Sequence, residues 1–411
     1  MENNQEYYND DYYNMMYAKQ SKTAQEICGI RWGFIKDLGV KSVLDYGCGC
    51  NFMTKYSPGD VTIDSFDIMP RETNPKKTGI TKDYYDLTFF NDVLEHVDWV
   101  KTPDKNMLNL IGKSKYICVS VPILPEGKDF SNWKHNRPNE HLTTFTIESL
   151  DKFFEDKHFY KIKEGYPESN IREDIYTAIY KKKDVIINQF NKIGDLLFSM
   201  TYFQELTRRG HKVICPVYPW ILQLQKHFPE IVFIDKSELN IGYEEQRVIV
   251  NKENIIIPLR FSNVILNRGR GRNHSLKSKY DFLNKIFHLD IPYTDWIKMN
   301  IVRDTSAENS LYRRYYTEEY NFVNRNWAML NNVDIKIENS IEMVSLDGYS
   351  LIDWSKLLEN AKSIHTVSTS IVFIIDLLKT TDDLHLYRRT SEPNTDNVIG
   401  FLNKKWEQHD D

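Results

Sequence analysis

Short apolar runs ended by turn residues, each followed by a mixed polar and apolar stretch, recur through the first 180 residues. Residues 41–46 (KSVLDY) form one such run and stop at Gly47–Cys48–Gly49. Residues 61–68 (VTIDSFDI) read as a second strand, and 87–91 (LTFFN) as a third with a helix beginning near Asp92. A fourth, 116–121 (YICVSV), is stopped by Pro122. Residues 147–157 read as a helix, and 159–164 with 175–180 as a closing strand pair. Near-continuous apolar strands alternating with helices predict a parallel sheet covered on both faces, an α/β doubly wound arrangement. The Tyr- and Asn-rich segment 1–26 fits a helical lid or a flexible segment.

The run Lys181–Lys182–Lys183 interrupts this pattern. A new strand begins at once over 184–190 (DVIINQF), with a turn at 191–194 and a helix over 195–209. Gly210 caps that helix and 212–216 resumes a strand. The expected division is therefore 1–26, 27–183 and 184–411. Within the last segment, 267–279 (NRGRGRNHSLKSK) is basic and Gly-bearing and reads as a loop. Residues 363–369 and 371–379 give another strand, turn and helix. Two strand–turn–helix units at opposite ends of this segment imply two small Rossmann-like halves facing one another.

Composition narrows the function classes. A length of 411 residues suggests two or three domains, and 41% hydrophobic with 27% charged residues supports ordinary cores. The formal net charge of −5 argues against a dedicated nucleic-acid partner. No apolar run reaches the length of a membrane span, and the N-terminus lacks the basic-then-apolar order of a secretory signal. Five cysteines, an odd number, fit a reduced, cytoplasmic protein.

The stretch Asp45–Tyr46–Gly47–Cys48–Gly49–Cys50–Asn51 carries the most chemistry. A strand ending in an acid and a Gly-x-Gly turn lets the backbone lie close against a ligand, because no Cβ intrudes. Asp67, about twenty residues on, falls where a carboxylate accepts both hydroxyls of an adenosine ribose, with Asp64 as a competitor. Together VLDYGCGCN, FDIMP, FFNDVLEHV, VSVP and EHLTTFTIESL resemble the class I S-adenosylmethionine-dependent methyltransferases over roughly residues 25–181. The resemblance implies that Asp45, Gly47 and Gly49 cradle the methionine part of the cofactor and that Asp67 holds its ribose. By the same resemblance Asn91 and Asp92 line the methyl-transfer cleft. Where the family often has a third glycine this chain has Asn51, which tolerates a left-handed backbone.

The sulfonium already carries an activated methyl, so the protein must align an acceptor and exclude water. An oxygen acceptor also needs a general base, for which His135 and His141 are the candidates. Glu95–His96 reads as architectural. Cys48 and Cys50 lack a second ligand pair, so no metal is expected there.

In the second half, Ile193–Gly194–Asp195, then Arg209–Gly210–His211–Lys212–Val213, resemble the heptosyltransferase-like glycosyltransferases of family 9, GT-B proteins of two Rossmann-like lobes. That resemblance implies Asp195 as base on an acceptor hydroxyl, with Asp capping the helix as the plainer alternative. It also implies a nucleotide-sugar donor in the last lobe, where Ser368–Thr369–Ser370 precede an apolar helix. Lys192 and Gly194 complete the candidate nucleotide-sugar site; Arg268, Arg270 and Arg272 would help neutralise the diphosphate, with a solvated loop or an anionic-polymer contact as the alternatives. Taken together, the resemblances imply a bifunctional carbohydrate-modifying enzyme of glycan biosynthesis. It would methylate a sugar hydroxyl from S-adenosylmethionine and transfer a glycosyl unit from a nucleotide-sugar to a glycan acceptor. The alternatives are a methyltransferase with a non-catalytic glycan- or nucleotide-binding module, and a nucleic-acid-modifying methyltransferase.

Overall fold

Period-two alternation builds the first sheet. In the computed structural model, which describes residues 10–67, 79–101, 103–137, 140–189, 192–239, 246–266, 272–327, 331–387 and 398–409, the chain divides into two compact units. One is 1–183 with 208–211, the other 184–207 with 212–411. In the first unit six strands are ordered β2-β1-β3-β4-β6-β5: β1 (Ser42–Tyr46), β2 (Thr62–Phe66), β3 (Tyr85–Asn91), β4 (Ser114–Pro122), β5 (Phe159–Gly165) and β6 (Ile175–Lys182). The first four pair in parallel, and β6 joins β4 and β5 antiparallel. Val43, Leu87, Phe89 and Cys118 go to one face, against Trp32 and Ile35 of helix α1 (Asp10–Ile35). Leu44, Phe90, Ile117 and Val119 go to the other, against Leu150 and Phe154.

Three expectations change in this unit. Helix α1 runs unbroken across residues 26 and 27, so the supposed lid is continuous with the helix that packs on the sheet; residues 1–9 lie outside the described residues. No helix starts at Asp92. The residue takes a left-handed φ of 56° and is followed only by a 3₁₀ turn, Leu94–His96. The closing strand also runs beyond the expected 180: β6 continues through Lys182, which is buried and donates from Nζ to the Gly112 carbonyl.

The second unit holds two five-stranded sheets. In one, β7 (Asp184–Ile187) lies between β11 (Asn254–Ile257) and β8 (Val213–Val217), flanked by β9 (Val232–Asp235) and the antiparallel β10 (Ile249–Val250). The other is wholly parallel in the order β15-β12-β16-β17-β18, from β12 (Asn321–Asn324), β15 (Ser340–Glu342), β16 (Ile364–Val367), β17 (Leu384–Tyr387) and β18 (Glu407–His409). A two-strand pairing, β13 (Asn326–Trp327) with β14 (Asn331–Asn332), stands apart.

One apolar core joins both sheets. Its centre is aromatic: Phe198, on the helix after β7 (Ile193–Arg208), lies 5.8 Å from Phe373, on the helix after β16 (Ile371–Leu377), and 6.0 Å from Trp296. The basic stretch 267–279 departs from expectation. Residues 267–271 lie outside the described residues, and Arg272–Phe287 is a helix. Its cause is an apolar stripe that the charges hid: Leu276, Tyr280, Leu283 and Phe287 recur at helical spacing and are all buried. No described helix is long and apolar enough to cross a membrane.

Candidate functional site

The turn after β1 is shaped by two glycines with positive φ, Gly47 at 74° and Gly49 at 48°. A Cβ on Gly47 would sit 2.5 Å from Val93 Cγ2, so only glycine fits. The turn is tied to the end of β2: the Gly47 and Cys48 amides donate to the Phe66 carbonyl at 2.8 and 3.0 Å, and the Gly49 amide to Asp67 Oδ2 at 2.8 Å. Asp64, the competitor for the ribose position, is committed elsewhere. It accepts from the Thr81 amide at 2.8 Å and from the Thr81 and Tyr85 hydroxyls at 2.5 Å. Asn51 takes the left-handed conformation expected of it, φ 59°, and its Oδ1 accepts from Ser65 Oγ at 2.6 Å.

Two side chains in this region hold buried polar atoms without a hydrogen-bond partner. Asp45 Oδ2 has none, and burial pushes the Asp45 carboxyl up to about 7, with Arg31 pulling the other way. Asn91, at the end of β3, leaves both Oδ1 and Nδ2 unpartnered. Such groups cost roughly 1–3 kcal/mol each unless something satisfies them.

Asp92 has a different setting. Arg172 donates to both of its oxygens, at 2.9 and 3.1 Å, and Arg31 to Oδ2 at 3.0 Å. Glu168, with no exposed side-chain surface, accepts from the same two arginines at 2.6 to 2.9 Å. Against the upward push of burial, the two guanidiniums hold the Asp92 carboxyl well below its usual range. Two cations and two anions thus close on each other and clamp α1 to the strand ends. Arg31, Glu168 and Arg172 escape sequence reading because 61 to 137 residues separate partners from different segments.

The histidines converge beside this clamp. His135 and His141 stack with ring centroids 5.7 Å apart, and His96 meets His141 edge-on at 5.0 Å. His135 Nε2 lies 2.8 Å from Asp174 Oδ2, an ion-pair distance without hydrogen-bond alignment. Burial, then the neighbouring His96, draws His141 down to about 4, and burial also lowers His135. Glu95 is buried beside them, and burial, then Asp92, raises its carboxyl well above the ordinary value.

Residues 18–164 match the family model described as a methyltransferase domain. The match takes in the glycine turn, Asp67, Arg31, Asp92 and all three histidines; Glu168 and Arg172 follow just beyond it. Among solved structures the chain is similar to a SAM-dependent methyltransferase from Archaeoglobus fulgidus, at 17% identity over 42% of this chain and 100% of that one, TM-score 0.30. It is also similar to the magnesium protoporphyrin IX methyltransferase from Synechocystis PCC 6803 with bound SAM, at 14% identity over 39% and 80%, TM-score 0.29. A third is the 1,6-didemethyltoxoflavin-N1-methyltransferase from Burkholderia thailandensis, at 12% identity over 42% and 84%, TM-score 0.32. No curated protein matches the chain.

Outside the matched segment, the second unit brings its two candidate turns together. A Cβ on Gly194 would lie 3.6 Å from Ser370 Cβ and 3.5 Å from Phe373, ordinary contact. Asp195 Oδ2 faces Lys279 Nζ at 3.3 Å, and the same ammonium donates to Gln189 Oε1 at 3.0 Å. Lys279 has no exposed surface, and burial lowers its pKa against the pull of Asp195. Neither Lys279 nor Gln189 stood out in the sequence. Lys192 is exposed; Arg268 and Arg270 lie outside the described residues, as does the Arg272 side chain. Ser368 Oγ is buried without a partner, Thr369 Oγ1 accepts from Asn324 Nδ2 at 3.2 Å, and Ser370 makes no side-chain cap to its helix. Asn188, directly after β7, is fully buried with both side-chain polar atoms unpartnered. His211 is structural, its Nδ1 bonded to the Lys183 carbonyl at 2.7 Å.

Proposed function

We propose that the methyltransferase domain uses S-adenosylmethionine and moves its methyl to a hydroxyl oxygen, with a sugar as the acceptor class. What carries the reading is the unpartnered, buried Asp45 oxygen beside a turn that only glycine fits. A buried carboxylate oxygen without a hydrogen-bond partner is costly, and the ammonium of the methionine moiety would supply one. Asp67, which accepts from the Gly49 amide at the end of β2, is the acceptor we assign to the ribose hydroxyls, and Asn91 offers further polar atoms to the nucleoside. When bound, the sulfonium would supply an activated methyl and leave as a neutral thioether once the methyl is on the acceptor oxygen. His135, at ion-pair distance from Asp174, is the residue to take the acceptor proton. Asp92, its oxygens taken by two arginines, acts as a positioning residue.

Calorimetry of the full chain with S-adenosylhomocysteine tests the cofactor. Micromolar binding is expected, and Asp67→Ala should weaken it by about 1.5–3 kcal/mol, the loss of a charged acceptor. Unchanged affinity in that variant overturns the ribose assignment.

For the second unit we infer glycosyl transfer from a nucleotide-sugar, with Asp195 as base and the polar groups at Ser368 to Ser370 toward the diphosphate. Supporting it are the proximity of Gly194 to Ser370, the buried Lys279 beside Asp195, and the unpartnered Ser368 and Asn188 at the carboxyl ends of parallel strands. Hydrolysis of UDP-, GDP- or ADP-sugars by the wild type and its loss in Asp195→Ala is the expected result. Absence of both hydrolysis and nucleotide binding would leave the unit a non-catalytic module.

A further inference from the structure

We propose that Glu95, His96 and His141 form a binding site for one divalent first-row transition-metal ion, with coordination positions open to an acceptor oxygen. One ligand atom from each residue falls within 4.8 Å of the others. Donors in a tetrahedral zinc site stand about 3.4 Å apart, so closure needs side-chain shifts of under about 1 Å each.

The hydrogen bonds around the cluster favour ligation. His96 Nδ1 lies 2.8 Å from the Glu140 carbonyl, and His141 Nδ1 lies 2.9 Å from the His135 carbonyl. A carbonyl only accepts, so in both rings Nδ1 carries the proton and donates, and the lone pair is on Nε2. This is the outer-shell arrangement that fixes a metal-binding imidazole in tautomer and orientation. Glu95 adds a carboxyl oxygen, which would ligate on giving up its proton to the incoming ion: its side chain is 3% exposed, and Oε2 is buried with no partner. Its neighbour Asp92 cannot compete for the ion, because Arg31 and Arg172 occupy it. Two imidazoles and one carboxylate suit manganese, iron or zinc rather than calcium or magnesium, and three protein ligands leave positions for a substrate oxygen. His96 is the open side of the cluster, with 24% of its side chain exposed.

The role of the ion, to hold and polarise the acceptor hydroxyl, rests on the methyl-transfer reading. The site itself does not. Its three ligands and the two residues whose carbonyls orient the rings, His135 and Glu140, lie within 47 residues of chain.

Titration calorimetry of the full chain with Mn²⁺ and Zn²⁺, and the visible spectrum after Co²⁺ loading, test the site. One equivalent is expected to bind with nitrogen-ligand absorption bands in the cobalt form, and Mg²⁺ is expected to bind at least 100-fold more weakly. His96→Gln and His141→Gln should each lower Mn²⁺ affinity at least 100-fold with unfolding temperatures close to wild type. If either fails to fold, Glu95→Gln, which keeps side-chain size, should show the same loss. A second His/Glu group, His385, Glu407 and His409, lies in the other unit, so a Glu407→Gln, His409→Gln double variant serves as the control and should bind as wild type does. No stoichiometric binding, wild-type affinity in the His96 and His141 variants, or loss that follows the control variant overturns the site. S-adenosylhomocysteine binding without metal binding sinks the metal site alone. Metal binding without S-adenosylhomocysteine binding sinks the methyl-transfer reading and leaves the site standing.

Discussion

Two glycine turns, one in each unit, follow the same strand-to-helix grammar and obey different constraints. Gly47 has a positive φ and no room for a methyl group against Val93, whereas Gly194 has neither restriction. Their acids differ too. Asp45 is buried with an oxygen that meets no protein group, while Asp195 has a buried ammonium, Lys279, facing it. The first turn keeps an acid oxygen unpartnered beside a main chain that carries no side chain at Gly47. The second carries its own counter-charge, which leaves it poised for a partner that displaces or shares that cation. A similar strand–glycine–helix pattern in sequence therefore does not imply similar chemistry.

Breaking the clamp should have the largest effect. Glu168→Ala leaves Arg31 and Arg172 sharing Asp92 alone, and removing one partner from a buried charge cluster costs about 3–5 kcal/mol. Urea unfolding should show that loss in the first unit's transition, and the second unit's transition should stay in place. Gly47→Ala comes next, at about 2–3 kcal/mol, since it combines a disallowed φ with overpacking against a stiff Val93. It should also abolish S-adenosylhomocysteine binding, read by calorimetry.

The pH dependence of binding sharpens the contrast at intermediate size. With its carboxyl raised to about 7 in the folded state from an ordinary 3.8, Asp45 binds more protons folded than unfolded between those values. Its contribution to stability therefore falls as pH rises from about 4 to 7 and is level above that. A cationic ligand favours the ionised form, so affinity for S-adenosylmethionine should rise through pH 7, with a proton released on binding. Asp45→Asn should flatten both profiles; a wild-type pH slope retained in that variant would assign the titration to another group. Gly194→Ala should have the smallest effect, within about 0.5 kcal/mol of wild type, because its new Cβ makes only ordinary contacts. A loss as large as that of Gly47→Ala would erase the distinction between the turns.

Much of this was legible from local pattern. The Gly-x-Gly turn, the placement of Asp67 opposite it, the left-handed Asn51 and the central strands all follow from short-range rules of sterics and alternation. Misreadings arose where charge outvoted periodicity. The arginines and lysines over 267–279 masked the Leu276, Tyr280, Leu283 stripe of a helix, and the lysine run at 181–183 hid the last two residues of β6. At Asp92 the expected helix was replaced by a left-handed residue whose carboxylate is fixed by distant arginines.

Sequence alone determined where the backbone turns and which faces of strands are apolar, because both depend on neighbours within a few residues. Only the tertiary structure decided which lone charged and imidazole groups meet. Arg31 finds Glu168 across 137 residues, Lys279 finds Gln189 across 90, and Glu140 fixes the His96 ring across 44. No local periodicity encodes such pairings. They follow from folding, which brings the strand ends together and removes the water that would otherwise satisfy each group separately.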